Sequence, residues 1–494
     1  MFANYHRLNV CCALLISGGV WYAVAPQSTA LPVISTTNDV SYPLARAGVV
    51  GSTSCSAASC HGGDGVRLTP GTEHTTWAAF DPHRNAYSVL FSDRSRRMVQ
   101  RLKPNGKPAP PHRNALCLSC HGASPPNLSA PLANDNPVHR FASCENCHGA
   151  AEHWLTVHYT PAWKGLPSSQ KAEQYGLVST KDYSSRAQTC AGCHIGEPGR
   201  EVDHRLIAAG HPALRFEFAA YQSEPVYTKH WCEKQYGVDS EAWAWLIGQA
   251  ATARASTRLL EHRTNPTLQR EWPELAEYAC FSCHRELTPG SVRTLPQRRD
   301  PRTTPRPGAI PWGSWAFPLA LDLVSRTEFP GEKSPLKHAS ALMELFRTSD
   351  RPTAGVAHTA ARAAIPDFDG WANRLDAEAC RRSRNDPLRS AELRQLLTHV
   401  LQFGERIRET GTVGTDWDRH TQAYLGVAAL YRALCTVEPA SRDPKAEALL
   451  RTLAADLQFA PGKDGPVRWS TDDEQRFQTR WRELRTLLEA RRQP

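Results

Sequence analysis

Five cysteine pairs, each followed directly by a histidine, lie between residues 55 and 284 of this 494-residue chain. Four have the spacing Cys-x-x-Cys-His, and they are Cys117-Cys120-His121, Cys144-Cys147-His148, Cys190-Cys193-His194 and Cys280-Cys283-His284. The first, Cys55-Cys60-His61, has four residues between its cysteines. At the Cys-x-x-Cys-His spacing, two thiols add to the vinyl groups of a porphyrin and the histidine ligates the iron from one face. The pattern therefore predicts five covalently attached c-type haems, each with a proximal histidine on its iron.

Other uses of paired cysteines fit this pattern less well. A zinc ribbon would not need a histidine after each second cysteine, and a thioredoxin-like motif occurs once, inside a βαβ pattern. Disulfide frameworks belong to small secreted domains, whereas this chain is long. The longer loop between Cys55 and Cys60 can still span two vinyl groups, and His61 keeps its place after the second cysteine, so we count this site with the others.

The N-terminus has the features of an export signal. His6 and Arg7 precede an apolar run over residues 10–25, and residues 28–30 (Ser-Thr-Ala) resemble a cleavage site. We expect a signal peptide over residues 1–30 and a periplasmic or otherwise exported protein, with an uncleaved membrane anchor as the alternative. The run is shorter than the 18 or more apolar residues of a spanning helix. No other stretch is long and apolar enough to cross a bilayer, so we expect peripheral or no membrane contact.

The formal net charge of +9 does not by itself indicate nucleic-acid binding. Each haem would bring two propionates, and the excess arginines and lysines can pair with them. A nucleic-acid surface would show a concentrated basic stripe, and none stands out. We therefore expect no nucleic-acid partner.

The chain is predicted to be mainly α-helical. A loop-rich multihaem cytochrome c domain with short helices is expected over residues 31–290, because every motif lies there among many glycines and prolines. An Arg/Pro-rich linker follows over 291–311. Residues 312–494 carry no motif and show apolar residues at helical spacing, which predicts a haem-free helical bundle that packs on the haem domain.

Local patterns predict several details of the helices. Ser240 is expected to cap a helix, Ser334-Pro335 to begin another, and Thr471 to form a capping box with Glu474. Cys380 and Cys435 could form a disulfide in an oxidising compartment. The histidines of the C-terminal part are expected to be ordinary helix residues rather than ligands, and they are His338, His358, His399 and His420.

The function of each predicted haem depends on what lies opposite its proximal histidine. A second histidine gives a six-coordinate iron suited to electron transfer, whereas an empty face lets the iron bind a substrate. Further histidines between the first and last motifs are numerous enough for five second ligands, and they are His74, His83, His112, His139, His153, His158, His204, His211, His230 and His262.

The residues around three motifs follow a recognisable pattern. They lie in residues 51–87, which include Asp81-Pro82-His83, in residues 144–158, and in residues 190–212, which end in Ala-Ala-Gly-His-Pro. These segments resemble multihaem cytochromes related to the tetrahaem cytochrome c of ammonia oxidisers, the electron acceptor of hydroxylamine oxidoreductase. The resemblance covers about residues 50–290, and the chain differs from that relative in carrying five motifs, one of them elongated.

The resemblance implies which histidines are distal ligands. They are His83, His158, His204 and His211, with His230 beside Trp231 as a fifth candidate. We expect an electron carrier that links a quinol-side donor to a periplasmic acceptor, with redox proteins as partners and no catalytic residue. The alternative is a multihaem oxidoreductase in which one open-face haem acts on a small nitrogen or sulfur compound. The sequence lacks the Cys-x-x-Cys-Lys motif that would favour catalysis, and it indicates no particular oligomeric state.

Overall fold

The computed structural model describes residues 48–65, 69–103, 106–123, 141–223, 237–280, 311–326, 336–349, 351–382, 386–406, 417–457 and 469–490. These residues are helical or in loops, which confirms the predicted mainly α fold class. Within the described ranges, β structure is confined to two isolated bridges, Glu197 to Arg200 and Tyr278 to Trp312. All described residues belong to one compact unit.

Short helices joined by loops form the part of the chain that carries the cysteine motifs. They are α1 (Glu73–Phe80), α2 (Asp93–Leu102), α3 (Ala115–His121), α4 (Cys144–His148), α5 (Pro161–Lys164), α6 (Ser168–Tyr175), α7 (Tyr183–His194), α8 (His204–Ala209) and α9 (Phe218–Gln222). A single 3-10 turn at Ser52–Cys55 precedes α1, and others lie between the helices at Pro82–Asn85, Ser88–Phe91 and Pro111–Arg113. Side chains that accept backbone N–H groups begin several of these helices, among them Ser92 for α2 and Asp203 for α8.

Longer helices follow. They are α10 (Ser240–Arg263), α11 (Pro318–Arg326), α12 (Lys337–Thr348), α13 (Ala354–Arg382), α14 (Ser390–Arg406), α15 (Trp417–Val437), α16 (Pro444–Asp456) and α17 (Thr471–Ala490), with 3-10 turns at Pro266–Leu268, Leu275–Glu277 and Pro439–Ser441. No helix in the described ranges is long and apolar enough to span a membrane.

Helix α10 connects the two parts of the fold. Every residue from Ala242 to Ala253 is buried, as expected for a helix that is apolar on all sides and lies inside a protein. It packs against α7, which carries the fourth motif, and against α13 and α15 of the C-terminal part. Gly426 of α15 leaves room for the ring of Trp245, which is fully buried. The motif-bearing region and the C-terminal helices therefore share one hydrophobic core.

Two predicted helix caps are shifted by one residue. Asp239, rather than Ser240, precedes α10, and its Oδ2 accepts hydrogen bonds from Trp243 Nε1 and Leu388 N, both at 2.8 Å. The capping box of α17 is formed by Ser470 and Asp473, one residue earlier than the predicted Thr471 and Glu474. Ser470 N donates to Asp473 Oδ2 at 2.9 Å, and Asp473 N donates to Ser470 Oγ at 3.2 Å. Ser470 accepts from a free N–H group of its helix, whereas the Asp239 carboxylate bonds a tryptophan side chain and the backbone of residue 388 instead of the first N–H groups of α10.

The predicted disulfide is also wrong. Both cysteines are free thiols, with Cys380 exposed and Cys435 buried. The signal peptide (1–30), most of the linker (291–311) and Ser334-Pro335 lie outside the described residues, so these expectations and the domain boundaries stay predictions.

Candidate functional site: a cavity lined by the cysteine and histidine motifs

The first four motifs line a single cavity of about 1250 Å³. The motif residues in its wall are Cys55, Cys60, His61, Cys117, Cys120, His121, Cys144, Cys147, His148, Cys190, Cys193 and His194. Pockets for one drug-sized ligand have volumes of roughly 300–1,000 Å³, so this cavity exceeds that range. All eight cysteines of these motifs line this one cavity.

Short helices present three of the motifs. The second motif ends α3, the third forms α4, and the fourth ends α7. Residues three apart on a helix share a face, so both cysteines of each pair point the same way. Asn114 caps α3 by accepting from Leu116 N at 3.0 Å. The first motif instead starts at the 3-10 turn Ser52–Cys55 and passes through a turn to Cys60, which accommodates its two extra residues.

Three histidine rings of the motifs face a second histidine ring across this cavity. The ring centroids of His61 and His158 are 6.1 Å apart with an interplanar angle of 16°. Those of His83 and His194 are 6.0 Å apart at 80°. Those of His121 and His211 are 6.4 Å apart at 79°. With metal–nitrogen bonds of about 2 Å, two imidazoles on opposite sides of one metal ion have centroids roughly 6 Å apart.

The Nδ1 atoms of five of the six histidines in these pairs have oxygen partners. His61 Nδ1 lies 2.9 Å from Glu73 Oε2, and His83 Nδ1 lies 2.9 Å from Asp81 Oδ1. The others donate to backbone carbonyls: His121 to Ala86 at 2.8 Å, His158 to Leu155 at 2.8 Å and His211 to Pro212 at 2.7 Å. Such a bond fixes the tautomer and leaves Nε2 for a metal.

Hydrogen bonding and burial shift the pKa values of several of these rings in different directions. The hydrogen bond with Glu73 raises the pKa of His61. Burial lowers the pKa of His194 to about 4, and nearby His83 and His121 reinforce this shift. Burial also lowers the pKa of His211. A neutral imidazole is the form that binds a metal, so burial favours the ligating state of His194 and His211.

The four motifs lie close to one another. The thiols of Cys55 and Cys144 share a hydrogen bond that lowers the pKa of Cys55 and raises that of Cys144. The thiols of Cys120 and Cys193 are paired in the same way. Glu145 is fully buried and accepts from the backbone N–H groups of residues 50 and 51, at 3.0 and 2.8 Å. It therefore fixes the third motif against the segment that leads to the first.

Cys280 of the fifth motif does not line this cavity, and Cys283 and His284 lie outside the described residues. Cys280 Sγ is 3.5 Å from Arg215 Nη2.

The remaining predicted distal ligands are less closely defined. His204 is the first residue of α8, and its backbone N–H donates to Glu274 Oε1 at 2.8 Å, beside the turn Leu275–Glu277 that leads to Cys280. His230 lies outside the described residues. His148 Nδ1 contacts Thr180 Oγ1 at 3.4 Å.

Sequence patterns alone do not indicate the residues that hold the paired histidines. Glu73 lies twelve residues after His61, and only the fold brings its carboxylate to the ring. Asp81 could have been found, because an Asp two residues before a histidine often bonds the backbone there, and Asp81 Oδ1 accepts from His83 N at 2.8 Å. Arg94 and Arg101 of α2 donate to the carbonyls of Gly210 and Ala209, just before His211.

Comparison with known proteins agrees with this chemistry. The family model for cytochrome c554 and c-prime matches residues 54–149, which contain the first three motifs. No curated protein and no solved structure gave a significant match. The matched segment is similar to a c-type cytochrome, a class of protein that binds haem covalently and transfers electrons.

Proposed function

We propose that this chain is an exported c-type cytochrome that carries electrons through five covalently bound haems, each with its iron between two histidines. The observation that carries the proposal is the set of three histidine pairs with centroids 6.0–6.4 Å apart, each containing one motif histidine. An iron with both axial positions filled is suited to electron transfer and not to binding a substrate.

The described pairs support a choice of ligands for three haems. His158 would be opposite His61 in the first motif, His211 opposite His121 in the second, and His83 opposite His194 in the fourth. These pairs support the implied roles of His83, His158 and His211.

Two distal candidates remain for the third and fifth haems. The third motif has proximal His148, and the fifth has proximal His284. His204 lies next to the turn that leads to Cys280, which favours His204 as the partner of His284. By elimination, His230 would serve His148.

The chain's own residues determine what these haems can do. Haem iron supplies one-electron chemistry. The Nδ1 hydrogen bonds orient the imidazoles and raise their basicity. The thiol contacts between the first and third motifs, and between the second and fourth, would bring neighbouring porphyrins together. Electrons could then pass from haem to haem between a donor and an acceptor protein.

Intact mass and ligand binding test the proposal together. The purified protein should have the mass of five haems, an electron paramagnetic spectrum of low-spin iron only, and no carbon monoxide adduct when reduced. A mass of four haems would contradict the count. One carbon monoxide adduct with rapid turnover of hydroxylamine or nitrite would instead favour the alternative of an oxidoreductase with one open-face haem.

A further inference from the structure

Arg215 lies between the cavity and the C-terminal helices. Its neighbours in sequence, Leu214 and Phe216, both line the cavity. The Arg215 guanidinium instead reaches two groups outside it. Its Nη2 is 3.5 Å from Cys280 Sγ, and its Nε is 3.1 Å from Asp418 Oδ1. This side chain thus joins the fifth motif to a carboxylate of α15.

The pair is buried and held from several sides. The side chains of Arg215 and Asp418 are 11% and 5% exposed. Ser314 Oγ donates to the second oxygen of Asp418, and the guanidinium lies 5.6 Å from the centre of the Trp315 ring. Trp315 in turn stacks on Trp417, next to Asp418, at 6.0 Å. Water screens such a pair far less than a surface ion pair, so each charge acts strongly on its neighbours.

We propose that Arg215 and Asp418 form a charge pair through which the C-terminal helices set the reduction potential of the haem attached at Cys280. The inference rests on the proposed fifth haem. The sulfur beside Arg215 is one that would bond the porphyrin, so the guanidinium would be close to that haem when it is attached. A cation there favours the reduced iron, which carries one positive charge less, and the carboxylate opposes it. The C-terminal part would then contribute a charge to electron transfer without binding a haem.

Substitution of each partner separates this role from a structural one. The substitutions are made in the full-length holoprotein, whose mass first shows how many haems are bound. Asp418→Asn leaves the cation unopposed, so the potential of one haem should rise. Arg215→Gln leaves the carboxylate unopposed, so the same potential should fall. We expect each shift to correspond to about a tenfold change in the reduction equilibrium, or 59 mV for one electron.

Further variants keep the test decisive if a single variant folds poorly. The double variant Arg215→Gln/Asp418→Asn restores the net charge and should return the potential close to that of the parent. Arg215→Lys keeps the charge and should also leave it nearly unchanged. His284→Met identifies the haem whose potential responds, because replacing the proximal ligand of the fifth haem should shift the reduction potential of that same haem.

A control uses the ion pair between Arg394 of α14 and Glu438, the residue that follows α15. Arg394→Gln breaks the pair with Glu438, which lies roughly 30 Å from Asp418 along the helix at 1.5 Å per residue. It should leave every potential unchanged. Shifts of the same sign in both single variants, or no shift in a protein with five haems, would overturn the inference and leave the proposed function intact. A mass of four haems with Cys280 unmodified would overturn the fifth haem and the inference together.

Discussion

The imidazole rings of His83 and His194 lie 6.0 Å apart with planes at 80°, although one follows α1 and the other ends α7. His194 belongs to the fourth motif, whereas His83 belongs to none. Asp81 holds the ring of His83 through Nδ1 at 2.9 Å. A residue near the start of the fold therefore faces the histidine of a motif whose cysteines come more than one hundred positions later.

Replacing His83 should open one haem. In His83→Ala, the haem at Cys190 would lose its distal imidazole, because His83 is the histidine that faces His194 among the residues that the structure describes. One equivalent of carbon monoxide should then bind per reduced protein, and one low-spin component should leave the electron paramagnetic spectrum. His153→Ala is the control, because His153 is exposed and does not line the cavity. An unchanged spectrum in His83→Ala would remove this residue from the ligand set.

The sequence predicts this site only in part. The motifs fix cysteines and proximal histidines because both haem attachment and ligation use residues adjacent in sequence. The rings that face the motif histidines, such as those of His158 and His211, are brought there by chain folding across loops, and a resemblance to known cytochromes is what indicated them as distal ligands. The sequence did not indicate how they pair with the motifs. The sequence also did not indicate that the imidazole of His158 lies opposite His61 of the elongated first motif.

The fold was predictable to a similar extent. Helical class follows from local spacing, and α10 was expected near its observed position. The packing of α10 between the motif-bearing region and the C-terminal helices was not predicted, because a helix that is buried on every side has no amphipathic stripe that shows what it packs against. Its contacts with both α7 and α15 come from tertiary packing. Tertiary packing also explains why α10 begins after Asp239, since Leu388 N from the C-terminal part donates to the Asp239 carboxylate.

Glu73 should lower the reduction potential of the haem at the first motif. Its carboxylate accepts from His61 Nδ1 at 2.9 Å, and an ionised acceptor makes the imidazole a stronger donor to oxidised iron. Glu73→Gln should therefore raise one potential in a redox titration while the haem count stays the same. Glu173→Gln, on the exposed side of α6, should change nothing. A fall in potential in Glu73→Gln would contradict the argument.

Two arginines of α2 should position His211. Arg94 Nη2 donates to the carbonyl of Gly210 at 2.7 Å, and Arg101 Nη1 donates to that of Ala209 at 3.0 Å. The double variant Arg94→Ala/Arg101→Ala should loosen the loop before His211, so that a fraction of the haem at the second motif binds carbon monoxide. Replacing both arginines with lysine should restore part of the low-spin signal.

Arg97→Ala provides the control for this clamp. Arg97 is exposed on the same helix and makes neither contact. It should leave carbon monoxide binding at the level of the parent protein. Equal carbon monoxide binding by Arg97→Ala and the double variant would mean that the overall charge of α2, and not the contacts with residues 209 and 210, holds His211.

Gly426 should be required for the packing of α15 on α10. A Cβ at this position would lie 2.8 Å from Cζ2 of Trp245, which is fully buried. Gly426→Ala should therefore lower the free energy of unfolding by about 1–3 kcal/mol through overpacking. Gly355→Ala is the matched control, because Gly355 lies in helix α13 with no atom within 4 Å of the added Cβ. That change should stabilise the helix by up to about 1 kcal/mol. Chemical denaturation followed by circular dichroism would distinguish the two outcomes.

Glu217 should make stability fall as pH rises. Its carboxylate is buried at the start of α9, where it accepts from the backbone N–H groups of residues 219 and 220. Burial outweighs these bonds and raises the pKa of Glu217 from 4.5 to about 7. Between these values the folded chain holds a proton that the unfolded chain has released. Stability from this group is therefore present below about pH 4.5 and is lost by pH 7, amounting to roughly 3 kcal/mol.

Glu217→Gln tests this pH dependence directly. A glutamine keeps an oxygen that can accept the N–H groups of α9 but does not ionise. The difference in unfolding free energy between variant and parent should therefore grow in favour of the variant as pH rises from 5 to 8. Glu173→Gln, at an exposed position, should run parallel to the parent across the same range. A parallel curve for Glu217→Gln would mean that the buried carboxylate does not change its ionisation between pH 5 and pH 8.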